Sequence, residues 1–436
     1  MSKHQRSFSK NTTLKTQFFF RKFPASPDIL KWLIISIIVG LSVGTASAWF
    51  LQSLEWVTTI RENNKWIIFF LPLAGFLVGI LYYYFGKNVE AGNNILIDNI
   101  HNPKSIIPFK MAPLVYLGTI LTHLFGGSAG REGTAIQMAG AIADQLTQPF
   151  RLNNDERKIL IIAAIAAGFG SVFGTPLAGA VFGLEVFLIG RIRYDAIFAA
   201  FTSSIIASWT TTGLWNVEHT HYIIGLIPKA NFVFIIYSII AGIAFGLCAA
   251  AFSKALHWAG NIFKSNIKYP PFRPIIGGII IVIAVFAMGA TKYIGLGVPV
   301  IEQAFQQQSE VYDFALKMIF TVLTLAAGFK GGEVTPLFFI GATLGSALSI
   351  FIPLPVGLMA GMGFVAVFAG ATNTPLACML MAIELFGAEC GIYVAIACVV
   401  SYLISGYNSI YTQQRVGQAK NNKTQDYTDK TISEIK

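Results

Sequence analysis

Apolar residues come in long blocks along this chain, and the polar residues are gathered into the gaps between them. The blocks cover about residues 31–55, 65–86, 108–126, 158–189, 195–215, 231–255, 273–290, 314–329, 335–352, 355–371, 375–386 and 391–410. Their length and their lack of strict alternation predict helices rather than the strands of an outer-membrane barrel. Several fall short of the ~20 residues that a straight helix needs to cross a hydrocarbon layer of ~30 Å. Many stop at Gly, Pro or Asn inside the apolar pattern. Backbone that leaves the helix at membrane depth survives only where protein encloses it or water reaches it. Broken helices of this kind point to a binding site near the midplane. The pattern reads as an all-α, polytopic membrane protein.

Composition agrees. Hydrophobic residues make up 54% of the chain and charged residues 12%, where a soluble protein carries roughly 25% charged. Mean hydropathy is +0.62. The formal net charge of +10 fits positive-inside anchoring of cytoplasmic loops, with enrichment of anions at pore mouths as the sharper alternative. No basic stretch interleaved with aromatics points to nucleic acid. Cys248, Cys378, Cys390 and Cys398 lie in or beside apolar blocks, at spacings that suit neither a metal nor a disulfide framework, so they read as packing residues. Motifs for a metal, a P-loop or a dinucleotide cofactor are absent, so no cofactor is expected.

Four regions follow. Residues 1–28 form a basic arm, with Lys3, Arg6, Lys10, Lys15, Arg21 and Lys22 against Asp28. No small-residue cleavage site follows a short apolar core, so the arm reads as cytoplasmic rather than as a signal peptide. Residues 29–225 and 226–411 are two membrane repeats, and 412–436 is a polar tail expected to fray. The repeat is visible in two motifs. Thr175-Pro176-Leu177-Ala178 with Glu185 recurs as Thr374-Pro375-Leu376-Ala377 with Glu384, shifted by 199 residues in both members (374 − 175, 384 − 185). Glu132-Gly133-Thr134 with Gly140 recurs as Glu333-Val334-Thr335 with Gly341, shifted by 201 (333 − 132, 341 − 140). Matching pairs of interrupted helices mark a transporter-like fold. Periodicity leaves the halves parallel or inverted.

The chemistry centres on Gly126-Gly127-Ser128-Ala129-Gly130-Arg131-Glu132-Gly133-Thr134. Glycines let the backbone turn its N–H groups to one side. A helix starting near Glu132 adds unpaired amides and the positive end of its dipole. Together they make a concavity for an anion. The Glu132 carboxylate can fill that place itself, and a proton can remove it from competition. The same stretch satisfies a GxSxG nucleophile pattern at Ser128, with His123 near. That motif needs a strand–turn–helix, which this pattern lacks; an intramembrane serine enzyme is kept only as a contrasting class.

This signature resembles that of the CLC family of chloride channels and anion/proton antiporters. The resemblance spans about residues 30–411 and implies an inverted repeat with both termini cytoplasmic, working as a homodimer with one pathway per subunit in the plasma membrane. It gives Glu132 the gating and proton role, and Glu333, a costly intramembrane acid in the second half, is the candidate for the other proton or ion-pathway group. Gly92-Asn93-Asn94 resembles the family's first anion-coordinating loop, where chloride transporters carry a serine; the bland alternative is that an Asn caps the next helix. Two amides there, and Glu333-Val334-Thr335 after Gly331-Gly332, look like the family's fluoride/proton branch. Fluoride is small and strongly hydrated, and an amide NH₂ offers two donors where a hydroxyl offers one. The anion set implied is Gly92, Asn93, Asn94, Gly130, Arg131, Gly133, Val334, Thr335 and Tyr411. Val334 would act as a size filter, and Tyr407 and Asn408 compete with Tyr411 for the aromatic position. For Glu333, a cap or an ion pair with Lys330 is the alternative to a pathway role. Many proton-coupled relatives carry an internal relay glutamate where Val186 stands here. Glu185 and Glu384 read as structural, with Glu185 near Arg191 or Arg193.

The sequence thus implies membrane anion transport, with fluoride/proton antiport as the leading form. A chloride channel or exchanger of the same fold is the runner-up, and a transporter of small organic anions a third. The partners implied are fluoride or chloride, protons, membrane lipid and a second copy of the chain.

Overall fold

The structure, a computed structural model, describes residues 26–420 and 427–435, with side chains from residue 28 onward. The basic arm expected over 1–28 lies outside the described residues as far as residue 25, as do 421–426 and 436 of the tail. The first half contains α1 (Ser26–Asn63), α2 (Leu71–Phe85), α3 (Asn93–His101), α4 (Met111–Leu124), α5 (Glu132–Ala143), α6 (Asn154–Phe173), α7 (Pro176–Glu185) and α8 (Ile197–Trp209). The second contains α9 (Phe232–Asn266), α10 (Phe272–Met288), α11 (Val298–Gln306), α12 (Asp313–Ala326), α13 (Val334–Leu348), α14 (Val356–Thr372), α15 (Pro375–Phe386) and α16 (Gly391–Ile404). A two-residue strand β1 (Leu188–Ile189) pairs in parallel with β2 (Arg415–Val416), and a final turn of helix, α17, covers Ile432–Ile435.

Among the described residues, four helical stretches are long and apolar enough to cross a membrane: Asp28–Asn63, Lys65–Phe85, Tyr194–Leu214 and Phe232–Asn266. The central helices are short. α5 has 12 residues and α13 has 15, which at ~1.5 Å per residue reach ~18 and ~22 Å, less than a ~30 Å hydrocarbon layer. Their ends therefore lie inside the protein. Both are buried along nearly their whole length. Trp49, Trp56, Leu73, Leu247, Ile283 and Phe286 are exposed on the outside, an apolar surface that suits lipid.

Local chemistry sets the breaks. α6 starts on a capping box between Asn153 and Glu156 and ends at Gly174 in the left-handed conformation (φ 69°). Pro176 then opens α7, where its missing N–H costs nothing. The second half repeats this device with Asn373 (φ 59°) ending α14 and Pro375 opening α15. Close packing depends on glycine where α13 meets α14. Gly341 and Gly363 pass backbone to backbone, and a Cβ on either would collide with the other's carbonyl.

Two carboxylates lock the halves together. The Glu185 oxygens accept from Leu376 N–H (3.2 Å) and Ala377 N–H (2.9 Å). Those of Glu384 accept from Leu177 N–H (2.9 Å) and Ala178 N–H (2.8 Å). Each half thus caps a helix N-terminus of the other, reciprocally. Glu185 was expected beside Arg191 or Arg193; it turns inward instead, because the orphan amides and dipole of α15 outbid a solvated guanidinium.

The tail also departs from expectation. Over 412–420 and 427–435 it is docked, not frayed. Val416 and Ile432 bury with Ile189. Buried Gln414 donates from Nε2 to the carbonyls of Val186 and Thr372, both at 2.7 Å, and its Oε1 accepts from Asn373 Nδ2 at 2.9 Å. A polar composition hid this, since the docking is made by a few well-placed side chains.

A buried ion pair holds α3 in place. Arg157 of α6 donates from Nε and Nη2 to the two oxygens of Asp144 at 2.7 Å each. It also reaches Asn99 Oδ1 within α3 and Ser105 O on the segment after it. Arg157→Met would leave Asp144 buried and unpaired, a loss of about 3–5 kcal/mol. The expected result is a lower unfolding temperature in detergent; an unchanged temperature would show the pair to be dispensable.

Candidate functional site

The two glycine-rich loops face each other at the centre. Gly130 N–H donates to Gly332 O at 2.6 Å and Gly332 N–H to Gly130 O at 2.7 Å, a one-rung antiparallel bridge between the halves. Only glycine fits here. A Cβ on Gly332 would lie 2.7 Å from Gly133 N, and one on Gly130 would lie 2.9 Å from Pro336 Cδ. The bridge sets the start of α5 beside the start of α13.

The Glu132 carboxylate lies between those two helix starts and is fully buried. Its Oε2 accepts from Arg131 N–H and from Thr335 N–H, both at 3.1 Å. Thr335 Oγ1 lies 2.6 Å from Oε1 and 2.7 Å from Oε2. Arg131 Nε is 3.4 Å from Oε1, close enough for ionic attraction but not aligned as a hydrogen bond. The carboxylate therefore takes a backbone donor from each half. It fills the concavity that the loop sequence describes.

Next to this cradle is a cavity of about 180 Å³. Its wall includes Gly92, Asn93, Asn94, Gln137, Lys330, Glu333 and Tyr411. Three buried atoms in that wall have no hydrogen-bond partner: Asn93 Oδ1, Glu333 Oε2 and Tyr411 Oη. Buried polar atoms are nearly always paired with protein, water or an ion. Three orphans around one small space describe a site for a polar guest. Gly133 joins the two compartments: a methyl group there would lie 3.0 Å from Asn93 Nδ2 and 3.6 Å from Glu333 Oε2.

The residues singled out in the sequence fall into two groups. Gly92, Asn93, Asn94, Glu333 and Tyr411 surround the cavity, while Gly130, Arg131, Gly133 and Thr335 build or border the cradle. Val334 is packed into the apolar core at the first turn of α13 and is not part of the cavity wall. Neither Asn caps α3. Gly92 takes the cap position with φ 58° and Asn93 opens the helix. Asn94 Oδ1 accepts from Gln413 N–H at 3.1 Å, which leaves its NH₂ as the free end of the amide. No ion pair forms between Glu333 and Lys330, because the Lys330 ammonium sits over the Tyr82 ring, 3.9 Å from its centroid.

Of the three candidates near the C-terminus, only Tyr411 reaches the cavity. Tyr407 accepts from Lys420 N–H through its hydroxyl, and Asn408 folds back onto Ser405 O. Ser128 is buried in a hydroxyl network with Thr321 (2.9 Å), and no hydrogen bond joins it to His123. Among the described residues, no group of three His, Cys, Asp or Glu side chains is placed to hold a metal. Sequence reasoning missed Gln137, Tyr82 and Lys330 as wall residues. Gln137 had a signal: it is the lone amide in the otherwise small and apolar helix after Glu132.

Comparison with known proteins agrees with this architecture. The family described as voltage gated chloride channel matches residues 74–406. A protein of Pseudomonas syringae pv. tomato named "Chloride/fluoride channel protein" is 53% identical over 403 residues, covering 91% of this chain and 89% of that protein. Among solved structures, a CLC-type fluoride/proton antiporter superposes with a TM-score of 0.86 at 34% identity, over 89% of this chain and 98% of that one. A slow cyanobacterial chloride/proton antiporter superposes with a TM-score of 0.75 at 20% identity, over 86% and 94%, a likeness of fold.

Because the Tyr411 hydroxyl has no protein partner, Tyr411→Phe breaks no internal hydrogen bond. The variant should unfold within a degree or so of the parent (about 0.5 kcal/mol or less) in a thermal scan. A clear loss of stability would reveal a partner inside the protein and remove Tyr411 from the wall of an anion site.

Proposed function

The chain belongs to the voltage gated chloride channel family, and from that membership we propose that it exports fluoride across the plasma membrane in exchange for protons. The observation that carries this reading is the Glu132 carboxylate held in a cradle of donors from both halves. An acid side chain in an anion's place is displaced by an anion and released by a proton. Protonated Glu132 leaves the cradle and fluoride enters from the adjoining cavity. Glu132 then passes its proton on, and the carboxylate so formed returns to the cradle and expels the anion. No enzymatic step is involved.

Support for fluoride comes from the donors. Asn93 and Asn94 offer amide NH₂ groups and Tyr411 a hydroxyl, each able to replace water around a small, strongly hydrated ion. The similarity to a fluoride/proton antiporter structure points the same way. Val186 stands where many proton-coupled relatives carry an acid, so the proton needs another carrier. Glu333, with an unpartnered oxygen on the cavity wall, fits that role. Exposed Leu177, Phe198, Leu376 and Ile392 offer apolar faces in both halves for a homodimer with one pathway per subunit. Lipid covers the remaining apolar surface.

The test is fluoride-driven proton movement in liposomes containing only this protein. Glu132→Gln should abolish proton coupling, because the amide can neither carry a charge nor trade a proton. Full proton exchange in that variant would contradict the gate. Faster chloride than fluoride movement by the parent protein would favour the chloride-conducting alternative.

Val334 packs off the cavity wall, so Val334→Gly checks whether it filters size indirectly, through the start of α13. Loosening the first turn of α13 should admit chloride alongside fluoride. An unchanged ratio of fluoride to chloride flux would leave Val334 as a packing residue only.

A further inference from the structure

The half-buried ammonium of Lys330 has no use in the gate just described. Its stem is pinned against α4, where a Cβ on Gly118 would sit 2.9 Å from both Lys330 Cβ and Cγ. Among the described residues no ion pair joins Lys330 to a carboxylate. Its head rests instead on the face of buried Tyr82. A ring face attracts the charge but satisfies few of the three N–H donors.

What lies on either side gives this placement a meaning. A second cavity of about 330 Å³ holds Lys87 and Arg273 in its wall. It shares three wall residues with the central cavity: Tyr82, Glu90 and Lys330. The second cavity is therefore bordered by three cations and one carboxylate, and the partition between the two spaces is made of an aromatic ring, an ammonium and that carboxylate. A cationic pocket with low-dielectric walls concentrates small anions.

We infer that the second cavity is an anion-collecting vestibule and that Lys330 passes a small inorganic anion from it to the central cavity by swinging off the Tyr82 ring. The three ammonium donors replace part of the water that the anion sheds on entry. Asn93, Asn94 and Tyr411 then take the anion over, and the lysine returns to the ring. Glu90 lies on the partition and limits how long an anion stays. This assignment rests on reading the central cavity as the anion's station.

Initial fluoride flux into proteoliposomes, measured against fluoride concentration, tests it. Lys330→Met keeps the stem and removes the charge. It should raise the half-saturating concentration about tenfold while the maximal rate stays within about twofold. Lys330→Arg should restore most of the apparent affinity. The four native cysteines are buried, which allows a charge rescue: Lys330→Cys treated with an ethylammonium methanethiosulfonate should recover, and with a neutral analogue should not. Unchanged half-saturation in Lys330→Met, or equal rescue by the neutral reagent, would overturn the proposal and leave the transport reading standing. A parent protein that moves no halide at all would end both.

Discussion

A carboxylate can live without water only where donors converge on it, and Glu132 receives them from both halves of the chain. One backbone N–H comes from Arg131 on its own loop. Another, with a hydroxyl, comes from Thr335 across the interface. Neither loop could hold the charge alone, since each helix start offers only a few free amides. The bridge between Gly130 and Gly332 makes the two starts one cradle. Any side chain at Gly332 would push against Gly133 N and part them.

The same physics appears twice more with a different outcome. Glu185 and Glu384 also sit at helix starts contributed by the opposite half, and each accepts two amides of one helix. Those carboxylates are locked caps, and they fasten the halves to each other. Glu132 differs in what surrounds it. Its donors include a rotatable hydroxyl, and a wet-sized cavity with three unpartnered polar atoms adjoins it. A locked acid stabilises the fold, and an acid with somewhere to go can work.

Strength elsewhere permits this softness at the centre. The Arg157–Asp144 pair anchors the segment behind α3, which keeps Asn93 and Asn94 beside the cavity. The docked tail fixes the other wall. Gln414 spans the chain from Val186 to Thr372, and Gln413 N–H orients the amide of Asn94. Tyr411 enters the cavity just before this anchored stretch.

The helical, membrane-embedded class followed from the sequence alone, because burial in lipid forces long apolar runs and a low charge content on any chain. So did the positions of the helix breaks at Thr175-Pro176 and Thr374-Pro375, where a proline, which cannot continue a helix, opens the next one whatever surrounds it. The helix start at Glu132 was legible for the same local reason. Other features were decided only by tertiary structure, since they depend on groups some 200 residues apart. Glu185 was expected near arginines and instead caps α15. The polar tail was expected to fray, yet Gln414 and Ile432 are buried. Composition could not separate Tyr411 from Tyr407, because both are tyrosines at the end of an apolar block and only packing aims one of them inward. Val334 lies beside the cradle in sequence but in the core in space, and Lys330 turned to an aromatic ring rather than to Glu333. Local chemistry fixes where a helix starts and stops, whereas the partner of a buried polar group depends on which distant segment the fold brings to it.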